Sequence, residues 1–177
     1  IYGPGTATAH AAALQARGLD AKHVRTAPPV PETATLELVR SVYNNMPSAL
    51  RAVFPVDNFI MGKHPRKARM YYGTYDSSTN EIYIGTHVPG YLVDDIVMHE
   101  LVHAFHYQCF GSFGWNTITW PNGAPTGENF AGLSTRIVGA EILADTYTLS
   151  YGKWTNYVKS ATQEQKDFAR NSVNSGC

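Results

Sequence analysis

The stretch from Ile96 to Cys109, Ile-Val-Met-His-Glu-Leu-Val-His-Ala-Phe-His-Tyr-Gln-Cys, constrains this chain more than any other part of it. Ile96, Val97, Met98, Leu101, Val102, Ala104 and Phe105 would make a helix here apolar almost all round, so we expect a buried helix. Within it stands His99-Glu100-x-x-His103. Residues four apart stack on one helix face, about 6 Å from each other, so both imidazoles turn to one point. Unpaired buried polar groups are costly, and a single zinc ion would partner both rings. Glu100 lies one residue on, about 100° round the helix. There it suits holding a water as general base better than binding the metal. The plain alternative is a core helix whose histidines bond to backbone carbonyls.

A catalytic zinc takes three protein ligands and leaves a position for water. Four residues compete for the third place. Glu141, in Glu141-Ile-Leu-Ala-Asp145, shares a helical face with Asp145. Glu141 would bind the metal while Asp145 bonds to the free nitrogen of a ligand histidine. Glu128 has Gly132 rather than an acid four positions on. His106 shares the histidine face, but a further turn carries it away from the metal, and Cys109 is farther still. Glu141 is favoured, with Glu128, His106 or Asp145 itself left open.

Around this core the pattern is α+β. Thr6–Arg17 is Ala-rich and helical in character, and Leu19–Pro31 reads as an extended connector. Leu36, Val39 and Val42-Tyr43 recur at helical spacing over Thr33–Asn45, and Ser48–Phe54 adds a turn or two. Val56–Met61, Arg69–Tyr75 and Glu81–Gly85 read as strands, the last two joined as a hairpin by the turn cluster Asp76–Asn80. Gly73 hints at a bulge or a close backbone approach. Glu81–Gly85, just ahead of the histidine helix, is either the edge with which an extended peptide pairs or an ordinary covered strand. The Gly- and aromatic-rich stretch from Phe110 to Pro125 lines a cleft or caps the core. A second helix runs from Ser134 to a stop at Gly152, and a third over Trp154–Asn171. The expected sheet is small, twisted and mainly antiparallel, packed on the histidine helix and the ligand-bearing second helix. We divide one domain, 1–177, into an N-terminal helix and connector (1–31), a helix and sheet lobe (32–90) and a helical lobe with the metal site (91–177).

The pair His99-Glu100-x-x-His103 and Glu141-x-x-x-Asp145 resembles the gluzincins, the thermolysin-like zinc metallopeptidases. The resemblance covers about fifty residues, the two helices and the loop between them. It implies a minimal zincin core, one Zn2+ held by His99, His103 and Glu141, Asp145 behind a histidine, and Glu100 as catalytic base. Glu141 lies 38 positions after His103, a longer gap than in thermolysin itself, and the chain is much shorter, so the helical second domain of large gluzincins is expected to be missing or reduced. A metzincin would need Gly at 106 and His at 109, where this chain has His106 and Cys109. Asp145 with Tyr151-Gly152 keeps an aspzincin in view, although the spacing fits poorly.

The expected activity is hydrolysis of peptide bonds, with a peptide or protein as partner. Tyr107, Tyr147, Tyr151 and His87 are candidates to steady the tetrahedral oxyanion. Two other classes keep the same residues: a zinc amidase acting on a non-protein amide such as a peptidoglycan cross-link, and a non-catalytic zinc-stabilised binding domain. The last has no use for Glu100. Lys+Arg 14 balances Asp+Glu 14, so no charge excess points to nucleic acid or an anionic membrane. No apolar run reaches membrane-spanning length, and a monomer is expected. The two cysteines, Cys109 and Cys177, are expected to form a disulfide that closes a loop of about 69 residues and stabilises by about 4 kcal/mol. That pairing belongs to an oxidising, extracellular compartment. The chain starts at Ile1 rather than Met, which we read as a mature or trimmed form from which any export signal has already been removed, so the absence of a signal says nothing of location.

Overall fold

The computed structural model describes residues 31–111, 118–120, 122–127 and 135–177. Thr6–Arg17, most of the 19–31 connector, Glu128 and part of the aromatic stretch lie outside them.

Helix α1 (Leu36–Asn44) begins where the Thr35 hydroxyl oxygen accepts from the Leu38 amide at 3.1 Å. That bond satisfies one of the amides a helix start leaves unpaired. Val39 and Tyr43 are its buried stripe. The Tyr43 hydroxyl donates to the Phe54 carbonyl at 2.6 Å, so α1 grips the end of α2 (Ser48–Val53). A single 3-10 turn, Val56–Asn58, then leads into strand β1 (Phe59–Met61). Strands β2 (Gly73–Asp76) and β3 (Glu81–Ile84) form the expected hairpin. Asn80 takes φ 54° in its turn, a conformation that Asn tolerates better than most residues.

The sheet decides one open reading and corrects one expectation. Its order is β1-β3-β2, so of the two readings of Glu81–Gly85 the covered strand holds, not the edge. Moreover β1 pairs with β3 in parallel, Ile60 opposite Tyr83, and only β2 is antiparallel to it. The sheet is mixed rather than mainly antiparallel. The reason is burial: Ile82 and Ile84 are both wholly buried on one face, and a neighbour on each side completes their cover.

Helix α3 (Val93–Phe110) follows a 3-10 turn at Gly90–Leu92 and ends at Gly111, whose φ is 65°. It runs through the centre of the molecule, touching α1, α2, β2, β3 and both later helices. That placement is why its sequence is apolar on every side: Val93, Val97, Leu101, Val102, Ala104 and Phe105 are completely buried. Asp94 and Asp95 in its first turn complement the helix dipole.

Helix α4 (Thr135–Ser150) packs along α3 and stops at Gly152, φ 70°. The third C-terminal helix is shorter than expected. Residues 154–162 are irregular, and α5 spans Gln163–Asn174. Thr162 and Gln165 form a capping box that fixes the start. From the aromatic stretch, Trp120 packs on Phe168 of α5 with ring centres 5.1 Å apart. Cys109 and Cys177 are disulfide-bonded, tying the end of α3 to the last residue of the chain. The architecture is thus mixed α+β, with a three-stranded sheet. Among the described residues no helix is long and apolar enough to cross a membrane.

Candidate metal centre

Helix α3 presents His99 and His103 one turn apart, their side chains 15% and 13% exposed at an otherwise buried surface. Their Nε2 atoms face each other at 2.9 Å, with the rings nearly perpendicular. Helix α4 brings Glu141 to the same point. Its Oε2 lies 3.1 Å from His99 Nε2 and its Oε1 3.5 Å from His103 Nε2. One ligand atom from each of the three residues falls within 4.8 Å of the others, a group that could hold a metal ion.

The donor set fits a cation. Asp145, one turn along α4 and completely buried, places Oδ1 2.9 Å from His99 Nδ1. Its Oδ2 accepts from the amides of Tyr157 and Val158 at 2.6 and 2.8 Å. An ionised carboxylate only accepts, so this network assigns the His99 hydrogen to Nδ1. The Nε2 lone pair then faces the other imidazole and a carboxylate. Three electron-rich groups meeting in a half-buried site call for positive charge between them. The ionisation tendencies say the same. Burial opposes charge on His99, but Asp145 and Glu141 outweigh it and hold the imidazole well above its ordinary value. Burial likewise opposes charge on Glu141, and His103 and His99 outweigh that, holding the carboxyl well below its usual range. A proton fills this need in the bare chain, and a divalent cation can fill it in place of the proton.

Glu100 stands outside the converging set and is almost wholly buried. Its Oε2 accepts from the Tyr75 amide of β2 at 2.8 Å. Burial pushes its carboxyl up, opposed by the charges of His99 and His103. The strand reaches it only because residue 73 is glycine. A Cβ on Gly73 would sit 2.5 Å from Glu100 Oε1, 2.6 Å from its Cγ and 2.7 Å from Ile96 Cγ2. Of the two readings of Gly73 in the sequence, the structure has the close approach.

The other candidates lie elsewhere. His106 is completely buried and tilts against Phe110, ring centres 5.2 Å apart, outside the converging group. Burial, with some help from the His103 charge, pushes it down to about 4. Cys109 is taken by the disulfide. Of the oxyanion candidates, Tyr147 is buried and donates to Asn174 Oδ1 at 3.0 Å, with the Tyr151 hydroxyl 3.3 Å away. Both belong to the α4–α5 interface. Tyr107 packs edge-on to Tyr75, and His87 lies against Tyr72.

One segment escaped the sequence reading. Tyr157 and Val158 hold Asp145 by their amides. The Tyr157 phenol is pushed up by burial and then by the charges of Glu141, Asp145 and Glu100, so it stands within electrostatic reach of the centre. A helix drawn over Trp154–Asn171 would have used those amides internally. The capping box at Thr162 was the available signal that the helix starts later.

Against known protein families, curated proteins and solved structures, the chain has no match.

Proposed function

We propose that this protein is a zinc-dependent peptidase with a gluzincin-like site. The observation that carries the reading is the convergence of His99, His103 and Glu141 beside the buried, uncoordinated carboxylate of Glu100. Two nitrogens and one oxygen are a donor set suited to zinc with a position left open. Zinc bound there would supply a Lewis acid that lowers the pKa of a water and polarises a carbonyl.

The chain's own groups do the rest. Asp145 keeps the His99 hydrogen on Nδ1 and so keeps Nε2 available. The Tyr75 amide anchors Glu100 Oε2 and leaves Oε1 to take a proton from the attacking water. The raised carboxyl of Glu100 is closer to neutrality than an ordinary glutamate, which favours its second task. As the C–N bond breaks, Glu100 returns that proton to the leaving amine. Because β3 is central, the edge strand beside Glu100 is β2, and an extended peptide would lie along it. The disulfide supports an exported protein, acting as a monomer on peptide or protein substrates.

The test joins metal analysis to one substitution. The protein loaded with zinc is expected to hold about one ion per chain and to hydrolyse casein, and a chelator should stop it. Glu100→Gln should keep the metal and the fold while turnover falls about 100-fold or more. Normal turnover in Glu100→Gln, or hydrolysis that survives removal of all metal, would end this reading.

A further inference from the structure

Strand β2 has two faces. Gly73 and Tyr75 turn toward α3 and Glu100, so Thr74 and Asp76 turn to the opposite face. Beside Thr74 and Asp76 lies an open pocket of about 270 Å³, lined also by Arg66, Lys67, Tyr75 and Ser77, with His64 buried in its wall. The metal centre makes no use of it.

The pocket is built, and its lining carries two cations and one carboxylate. His64 Nε2 donates to Asp76 Oδ2 at 2.7 Å, while His64 Nδ1 accepts from the Arg66 amide at 3.0 Å. Both ring nitrogens are spent on holding the loop to the strand. Asp76 Oδ2 also accepts from the Arg66 guanidinium, and Asp76 Oδ1 accepts from the Ser78 amide and hydroxyl at 2.9 and 2.7 Å. Asp76 is therefore fully engaged. Burial raises its carboxyl, but the bonds from Arg66 and Ser78 outweigh that and keep it ionised. One guanidinium cancels one carboxylate, and the Arg66 side chain remains 62% exposed beyond that contact. Lys67 makes no ion pair among the described residues, so two cations line the pocket against one carboxylate, while Glu81, opposite Asp76 on β3, accepts from the Tyr83 hydroxyl outside the lining.

An extended chain paired with β2 would share the strand's alternation. Every second side chain would pass to the face where Lys67 and Arg66 stand. We infer that this pocket is a substrate subsite for an anionic side chain, aspartate or glutamate, on a residue near the scissile bond. The inference rests on the peptidase reading of the metal centre and names a preference of that same site.

The experiment uses the zinc-loaded protein and matched quenched peptides with Asp, Asn or Lys at each of three positions on either side of the cleaved bond. Asp at one position, or at two positions two apart, should lower KM about two- to fivefold against Asn, with kcat little changed and the effect fading in high salt. Lys67→Glu should abolish that preference or turn it toward Lys. Equal KM for Asp and Asn at all positions, or a preference that survives Lys67→Glu, would overturn the proposal. Anisotropy of labelled peptides on Glu100→Gln protein separates the two claims. If no peptide is cleaved yet the Asp peptide binds more tightly and loses that advantage in Lys67→Glu, the peptidase reading falls and the anionic subsite stands. If Asp and Lys peptides bind alike, the subsite falls.

Discussion

Gly73→Ala tests the link between the sheet and the base. Ordinary carbon contacts lie at about 3.5–4.0 Å. The added Cβ would meet three atoms between 2.5 and 2.7 Å away, two on Glu100 and one on Ile96. An overlap of about 1 Å at each must be relieved. Ile96 is 8% exposed and fixed in α3, so Glu100 and the strand must move. Overpacking of this kind costs about 1–3 kcal/mol. In a chain of this size each kcal/mol lowers Tm by about 2–4 °C, so the drop should be about 2–12 °C. Moving Glu100 by about 1 Å should slow hydrolysis about 100-fold. His99, His103 and Glu141 are not among the atoms struck, so bound zinc should stay near one per chain. Circular dichroism melts, peptide hydrolysis and metal analysis read the three quantities. A variant with unchanged Tm and unchanged turnover would show that β2 does not press on Glu100.

Three further expectations follow from the same geometry. Glu141→Ala should weaken zinc binding more than Asp145→Asn, which removes only the acceptor behind His99 and should cost about 10–100-fold in affinity by competition with a chelating dye. Cys109→Ser with Cys177→Ser should destabilise by about 4 kcal/mol or less in urea titration, while intact-mass analysis of the native protein should find no free thiol. His106 sits near 4 when folded against about 6.5 unfolded, so the unfolded chain takes up its proton first as pH falls. Its contribution is whole above pH 6.5 and is lost between 6.5 and 4, at most about 3 kcal/mol. His106→Leu should flatten that limb relative to the parent when both are melted free of metal, and parallel curves would count against it.

The parts of this fold that announce themselves in sequence are those set by local chemistry. The all-round apolar run of α3, the turn at Asn80 and the stop at Gly152 each follow from residues within a few positions. The approach of Glu141 to His99 and His103 was suggested by carboxylate spacing alone, and α4 does bring them together. What stayed hidden was nonlocal. Alternation in Glu-Ile-Tyr-Ile shows that one face of β3 is buried but not how many strands flank it, so its central place could not be seen. Parallel pairing with β1 has no turn to betray it. The amides of Tyr157 and Val158 on Asp145 depend on where an irregular segment crosses a helix thirteen residues back, which no periodicity encodes.

The Cys109–Cys177 bond also changes what a cut in the backbone can do. It makes residues 109–177 a covalent ring, with both histidines on the tail outside it and Glu141 within. A peptide bond hydrolysed anywhere between 110 and 176 would open the ring without releasing a fragment. The helix bearing the histidines and the helix bearing the glutamate would remain one molecule, parted only by reductant. In surroundings where peptidases attack one another, a nicked copy would thus keep all three converging groups, and its damage would appear only on a reducing gel.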